Sequence, residues 1–224
     1  MIRSTNRSHR MEMSVTMFCC AALLAVVAGC TNQNVATAGS GDMLTGNAKM
    51  EQILSGRYLV ISHDCGGCHG GRSDPRSPLW LSGARTADDA FKIGPFTTRP
   101  RNLTPDNQTG LGRFSDRQIF NALRFGLRPG ETPDVEITSM VPGQGNFPAH
   151  PKFLAPPMPW PAWRNMPDKE LWAIAAYLKN GLKPVNNLVK DSEGPPDFWA
   201  SAYVADAIGT YPAAPFPTAT ERAR

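Results

Sequence analysis

The sequence predicts an all-α protein in which a few helices alternate with long irregular loops. Three segments carry apolar residues at helical spacing, and no segment shows the alternation that is typical of a strand ladder. The 224 residues include 21 prolines and 20 glycines, which indicates extensive loop. Because long structureless loops are uncommon in a compact domain, the sequence also predicts a large bound group that fills the interior.

The first 29 residues predict an export signal. Three arginines precede an apolar run, residues 17–28, which is too short to span a bilayer but is typical of a signal-peptide core. The run ends in Val27-Ala28-Gly29-Cys30, which resembles a bacterial lipoprotein box and implies lipidation of the Cys30 sulfur. An ordinary secretory signal or an uncleaved N-terminal anchor is the alternative. Thr31, in place of an aspartate after the cysteine, favours sorting to the outer membrane.

The first predicted helix covers residues 47–63, and a small, polar stretch before it, residues 30–46, predicts a flexible linker. The helix is indicated by apolar residues at helical spacing, which are Met50, Ile53, Leu54 and Tyr58. A loop rich in glycine and proline follows. The helix therefore ends directly before a pair of cysteines.

Two further helices are predicted later in the chain. Ser115 is a suitable N-cap for one of them, and Gly126 ends it. Asp168 begins the other, and Gly181 ends it. Each presents an apolar stripe to the core, formed by Ile119, Phe120, Leu123 and Leu127 in the first and by Leu171, Ile174, Ala175 and Leu178 in the second. The tail, residues 190–224, is rich in proline and alanine and predicts one short helix.

A Cys-x-x-Cys-His motif is formed by Cys65, Cys68 and His69. Of the five cysteines in the chain, two lie in the predicted signal and Cys30 is assigned to the lipid, so only this pair can hold a prosthetic group. A zinc ion is one alternative, but a structural zinc site needs a second pair of ligands. A redox disulfide is another, but thioredoxin-like pairs follow a strand, and here a helix precedes the motif.

A covalently attached haem fits each part of the motif. Two thiols three positions apart reach the two vinyl groups at one edge of a porphyrin, and His69 is then carried under the iron as its proximal ligand. Glycines that flank the second cysteine let the backbone lie close to the ring. One motif predicts one haem c, bound through Cys65 and Cys68.

The second axial ligand of a low-spin electron carrier is usually methionine. Met158 lies in a segment that four prolines stiffen, so the chain can hold its thioether against a haem face without a helix. Met166 directly precedes the last helix and is expected to pack on its first turn. His150 is the alternative ligand. The sequence therefore predicts His69 and Met158 as the iron ligands.

Three segments together resemble the haem domains of class I c-type cytochromes. They are GRYLVISHDCGGCHG, RNLTPDNQTGLGRFSDRQIFNALRFGLRPG and PPMPWPAWRNMPDKELWAIAAYLKNGLKPVNN, and they cover most of residues 55–187. In particular, they are similar to cytochrome subunits of bacterial membrane-bound alcohol and aldehyde dehydrogenases and to related single-haem proteins. The resemblance implies a cytochrome c fold around one covalent haem, with Met158 as the methionine ligand. Those dehydrogenase subunits carry three haem motifs, whereas this chain has one.

The resemblance also implies a set of packing and haem contacts outside the motif. The first helix is expected to cross the last helix near Gly56 and Tyr177, where the missing Cβ admits the tyrosine ring. The candidates for contact with the haem propionates are Arg99, Arg101 and Asn102. A solvated turn is the alternative for these three residues. Trp160 is expected to pack on the ring or to donate to a propionate, and the alternative is a core position.

The sequence therefore predicts a mono-haem c-type cytochrome that carries single electrons between a periplasmic or membrane dehydrogenase and a respiratory acceptor, and that is not itself an enzyme. The alternatives are a haem-based sensor or ligand-binding module with a labile sixth ligand, and a haem peroxidase. The sequence has no basic stripe interleaved with aromatic residues, so a nucleic-acid partner is not expected. The predicted organisation is a lipoprotein signal (1–29), a linker (30–46), a cytochrome c domain (47–189) and a tail (190–224), lipid-anchored on the periplasmic side.

Overall fold

The structure, a computed structural model, describes residues 38–209, with side chains from residue 46 onward. The helices in this part of the chain are α1 (Ala38–Ser62), α2 (Cys65–His69), α3 (Asp116–Phe125), α4 (Trp160–Trp163), α5 (Asp168–Asn180) and α6 (Ala205–Ile208), and the strands are β1 (Phe91–Ile93) and β2 (Phe96–Thr98). Among these helices, none combines the length and the apolar character needed to cross a membrane. The predicted signal and Cys30 lie outside the described residues.

The crossing of α1 over α5 organises the core. A Cβ on Gly56 would lie 1.8 Å from the carbonyl oxygen of Ala173 and 2.8 Å from the Cβ of Tyr177, so only glycine lets the two helices approach this closely. The Tyr177 hydroxyl in turn accepts a hydrogen bond from Trp80 Nε1 at 3.1 Å. The predicted crossing near Gly56 and Tyr177 is confirmed.

The helix α1 differs from the sequence pattern in its start and in its exposed face. It begins at Ala38, so residues 38–46 are helical where a flexible linker was predicted. Three of the apolar residues that indicated the helix are exposed, with Met50 at 54%, Leu54 at 57% and Tyr58 at 70%. The physical reason is that contact at Gly56 places Val60, which is fully buried, on the inner face, and the other row of apolar residues turns outward.

The helices α3 and α5 follow the sequence pattern closely. Ser115 accepts a hydrogen bond from the Gln118 backbone N–H at 3.0 Å, and the Gln118 side chain accepts one from the Ser115 N–H at 3.1 Å, which completes a capping box. Gly126 ends α3 with φ 67°. The predicted stripe of α5 is buried: Leu171, Ile174, Ala175 and Leu178. These residues join α1 and α3 in the first core cluster.

A second core cluster is built by loops rather than by long helices. Its buried members are Phe96, Phe125, Leu127, Ile137, Met140, Phe147, Phe153, Trp160, Trp199 and Tyr203. The last two residues come from the segment predicted as a tail. The compact unit therefore includes the chain beyond residue 189, at least as far as residue 209.

A short hairpin was not predicted from the sequence. β1 pairs with β2 in antiparallel register, with Ile93 opposite Phe96, and the two-residue loop between them begins with Gly94 at φ 52°. Strands of three residues are too short to show an alternating pattern. The fold is therefore helix-rich with a small two-stranded sheet, and the all-α prediction is corrected in this respect.

Candidate haem-binding site

A single cavity contains all the residues that were predicted to hold a haem and its iron. It has a volume of about 970 Å³, and Cys65, Cys68, His69 and Met158 all line it. Pockets for small molecules and cofactors commonly reach this size. The structure therefore brings the motif together with a methionine that lies almost ninety residues further along the chain.

The motif forms the single-turn helix α2. Asp64 precedes the helix in the left-handed conformation (φ 49°), and Gly70 follows it with φ 99°. A Cβ on Gly66 would lie 1.9 Å from the Trp80 ring, so the glycine lets this buried ring pack against the motif. Close approach of the motif glycines to the haem stays a prediction.

The imidazole of His69 is oriented by a backbone carbonyl. Its Nδ1 donates to the carbonyl oxygen of Arg101 at 2.7 Å, which leaves Nε2 as the nitrogen with a free lone pair. Burial lowers the pKa of His69 below its ordinary value, opposed by this hydrogen bond, so the ring is neutral at neutral pH. A neutral imidazole held through its other nitrogen is the usual form of a metal-ligating histidine.

The two cysteines are chemically unsuited to the redox alternative. Neither cysteine forms a disulfide in the structure. Burial raises the pKa of Cys65 to about 12, and burial together with the Asp64 carboxylate raises the pKa of Cys68. Dithiol oxidoreductases need a thiol whose pKa is lowered instead. The zinc alternative gains no support either, because residues 38–209 contain no group of three or more candidate side chains arranged to hold a metal ion.

The cavity distinguishes Met158 from the rival ligands. Met158 lines the cavity, and its backbone N–H donates to the carbonyl of Ala155 at 2.9 Å in the turn before α4. Met166 packs against the first core cluster and is not part of the cavity wall. His150 is exposed and also lies outside the wall. His63 does line the cavity, a position that the sequence gave no means to recognise.

The cavity wall combines apolar side chains with guanidinium groups. Its apolar residues include Val60, Leu103, Leu111, Phe114, Ile119, Leu123, Ile174 and Leu178. Its arginines are Arg99, Arg101, Arg113 and Arg128, of which the last two were missed in the sequence because only tertiary packing brings their loops here. Such a wall suits an apolar ring that carries two carboxylates.

Two of the candidate propionate contacts are tied to the segment after α5. The Arg99 guanidinium donates to the Asp191 carbonyl oxygen at 2.8 Å and to Glu193 at 3.0 Å. The Arg101 guanidinium donates to the Val189 carbonyl oxygen and to the Asp191 carboxylate, both at 3.0 Å. A guanidinium has five N–H donors, so these contacts leave donors for a propionate. Contact of either arginine with a propionate stays a prediction.

Asn102 lines the cavity, and its side chain is hydrogen-bonded within the protein. Its side chain is buried, and its amide group donates to the Thr109 hydroxyl at 3.0 Å and to the Val185 carbonyl at 2.7 Å. Its amide oxygen accepts from the backbone N–H and the hydroxyl of Thr104. Both amide hydrogens therefore stabilise the loop, and contact of Asn102 with a propionate stays a prediction.

Trp160 is part of the second core cluster and not of the cavity wall. It is fully buried, it stacks on Phe153 with ring centroids 5.9 Å apart, and it fills the space beside Gly126. Trp160 therefore occupies the core position that was the alternative in the sequence analysis. Its indole N–H has no hydrogen-bond partner among the described residues, so donation to a propionate stays a prediction.

The residues present fit a c-type haem. The cavity offers two thiols at the required spacing, a neutral imidazole with Nε2 free, a thioether, apolar walls and guanidinium groups. These are the side chains that attach haem c, ligate its iron and accommodate its propionates.

Comparison with known proteins agrees with this donor set. Over 59–72% of its length, the chain is similar to a group of bacterial dehydrogenase subunits, several of them cytochrome c subunits. This finding confirms the resemblance stated above and supports an electron-transfer cytochrome that carries haem c. No protein-family model matches the chain.

Three relatives illustrate the similarity. The chain is 28% identical to the gluconate 2-dehydrogenase cytochrome c subunit of Pantoea cypripedii, over 72% of this chain and 32% of the relative. It is 26% identical to the fructose dehydrogenase cytochrome subunit of Gluconobacter japonicus (62% and 23% covered) and 27% identical to the alcohol dehydrogenase (quinone) cytochrome c subunit of Gluconacetobacter polyoxogenes (66% and 26% covered). The chain thus spans no more than a third of the length of these curated relatives.

Proposed function

We propose that this chain is a mono-haem c-type cytochrome that carries single electrons between a periplasmic or membrane dehydrogenase and a respiratory acceptor. The observation that carries the proposal is the common cavity of Cys65, Cys68, His69 and Met158, with the His69 imidazole already oriented by a carbonyl. The helix-rich architecture with α1 crossed over α5 supports a cytochrome c fold. The chain transfers electrons and does not itself turn over a substrate.

Each residue has a definite task in this function. Cys65 and Cys68 hold the haem through thioether bonds, and His69 and Met158 ligate the iron. When bound, the haem supplies a couple that gains or loses one electron. The apolar side chains on the helical side of the cavity exclude water from the ring. A methionine ligand and a dry pocket both favour the ferrous state and so raise the reduction potential.

The number of haems follows from the motif count. The sequence contains one Cys-x-x-Cys-His motif, so we infer one haem per chain. The relatives are longer than this chain, and their names assign them to gluconate, fructose and alcohol dehydrogenases. By analogy, a dehydrogenase is the electron donor that we infer for this chain.

We also infer that the chain is anchored by lipid at Cys30 on the periplasmic side of a bacterial membrane. Covalent haem attachment through thiols takes place outside the cytoplasm, so a motif of this kind agrees with an export signal. A Cys30→Ser variant should lose metabolic labelling with a fatty acid and should partition into the aqueous phase. A wild-type protein that is already unlabelled and soluble would contradict the anchor, and it would leave the haem assignment intact.

The test of the proposed function is the haem itself. Expressed with a periplasmic haem-attachment system, the protein should give a c-type pyridine haemochrome spectrum with one haem per chain. Haem that is released by acidified acetone would be non-covalent and would contradict attachment through Cys65 and Cys68. Carbon monoxide distinguishes the sensor alternative, because the native ferrous protein should not bind it while Met158 closes the iron. Rapid binding to the native protein would favour a labile sixth ligand and a sensor.

A further inference from the structure

The segment after α5 is bonded to the cavity loops at every second residue. We call residues 185–193 the C-terminal strap. The Val185 carbonyl accepts hydrogen bonds from the side chains of Asn102 and Thr104, and the Asn187 amide donates to the carbonyls of Ser82 and Ala84. The Val189 carbonyl accepts from Arg101, and Asp191 accepts from Arg99 and Arg101. The Glu193 backbone exchanges two hydrogen bonds with the Thr97 backbone. This alternation is that of an extended segment paired along one side.

The contacts of the C-terminal strap converge on His69. The carbonyl that accepts from the His69 imidazole belongs to Arg101, whose side chain is bonded to the strap. The carbonyl of His69 itself accepts from the Gly83 N–H at 2.7 Å. Gly83 packs against the strap so closely that a Cβ there would lie 2.7 Å from Val189 Cγ2. The strap therefore supports both groups that hold His69 in place.

The burial of these contacts indicates which of them stabilise the attachment of the strap to the loop. The ion pair between Arg101 and Asp191 is exposed, with side-chain exposures of 49% and 95%, and exposed ion pairs contribute little. Val189 is 6% exposed and packs beneath the loop, and its carbonyl accepts the partly buried hydrogen bond from Arg101. Burial of an aliphatic side chain and a partly buried hydrogen bond both outweigh an exposed pair.

We propose that the C-terminal strap positions the iron ligand His69, with Val189 and Arg101 as the positioning residues. They fix the Arg101 carbonyl, and that carbonyl fixes the imidazole, so neither residue needs to touch the iron. Hydrogen bonding to the outer nitrogen of a ligating histidine sets the ring orientation and its basicity, which in turn tune the metal. The inference rests on the proposed haem function and adds a second determinant of the reduction potential to Met158.

The experiment measures deuterium exchange of the His69 Nδ1–H in the ferrous holoprotein by NMR. Exchange requires the ring to leave the Arg101 carbonyl, so its rate reports local opening. Loss of a contact worth about 1 kcal/mol should accelerate this exchange by roughly fivefold in Val189→Ala and in Arg101→Met. The backbone amides in the middle of α5 should keep their wild-type rates in both variants, which a general loss of stability would not allow.

Matched controls separate positioning from charge and from packing. Val185→Ala makes the same substitution in the same strap, and Arg99→Met removes the same charge together with two strap hydrogen bonds. Neither residue is bonded to the His69 acceptor, so the exchange of the His69 proton should stay within about twofold of the wild type. Acceleration that is equal in test and control variants, or absent from both test variants, would overturn the proposal.

The outcomes distinguish this inference from the proposed function. If the purified protein carries no covalent haem, the proposed function fails and the inference fails with it. If the haem is attached and His69 exchange does not respond to Val189→Ala, the inference alone fails.

Discussion

The two walls of the candidate haem cavity are built in different ways. The helical wall comes from α1, α3 and α5, whose apolar stripes meet in the first core cluster. The loop wall comes from residues 97–113, from the turn around Met158 and from the C-terminal strap. Its hydrogen bonds join segments that are distant in sequence, such as Asn187 and Ser82, which are 105 positions apart. We infer that local sequence specifies the helical wall, whereas the loop wall depends on tertiary contacts and on the bound group.

The largest expected effect is the loss of the haem. A Cys65→Ser/Cys68→Ser variant purified without haem would leave the apolar cavity unfilled. For a sealed cavity of this volume the packing term would be on the order of 20 kcal/mol, and even a fraction of it exceeds the ordinary stability of about 5–15 kcal/mol. We therefore expect no cooperative thermal unfolding transition by circular dichroism. Amides of the loop wall should exchange first, before those of α1 and α5. A cooperative unfolding transition, together with strap amides that resist exchange, would contradict the claim that the loop wall depends on the bound group.

The next effect concerns the helical wall alone. Gly56→Ala places a Cβ against the Ala173 carbonyl, so α1 and α5 must separate. We expect a loss of about 3 kcal/mol, or a fall of roughly 6–12 °C in Tm. The matched control is Gly46→Ala in the same helix, where a Cβ meets nothing within 4 Å, and this variant should gain about 0.5–1 kcal/mol because alanine favours the helix. Equal Tm values for the two variants would show that the crossing is not close.

A smaller effect is expected in the loop wall. Asn102→Ala removes a buried amide that bonds Thr104, Thr109 and the C-terminal strap, and should cost about 2 kcal/mol. If Asn102 only fastens the loop, the haem stays attached and the reduction potential changes little. Asn186→Ala is the control, because Asn186 is exposed and its amide bonds Gln108 and Asp106 rather than the buried Thr104. A large change in potential at unchanged Tm would instead support Asn102 as a propionate contact.

The sequence predicted the features that depend on neighbours along the chain. The N-cap at Ser115, the start of α5 at Asp168 and the buried stripe of α5 all depend on local spacing, and all are confirmed. The buried face of α1 was not predicted, because the crossing at Gly56 and not the number of apolar residues decides which side faces inward. Local signals were therefore sufficient for the position of the helices and insufficient for their orientation.

The loop wall could not be predicted, because its residues pair across long stretches of sequence. Trp199 and Tyr203 complete a core whose other members precede them by 39 residues or more. One signal for the strap was present in the sequence. Arg99 and Arg101 are two positions apart, as are Asp191 and Glu193, and opposite charges at alternate positions favour the pairing of two extended segments. The identity of the iron ligands was predicted because a haem requires particular donors, although their approach in space was not visible in the sequence.

The central claim is that His69 and Met158, which line the same cavity, are the two ligands of the iron. The measurement that tests it most directly is the weak long-wavelength absorption band of a ferric iron–thioether bond. Wild-type protein should show the band, and Met158→Ala should abolish it, open the iron to cyanide and lower the reduction potential. Met166→Ala and His150→Ala should keep the band, because neither residue lines the cavity. If the band survives in Met158→Ala and disappears in Met166→Ala, or if only His150→Ala loses the sixth ligand, the account of the site is contradicted.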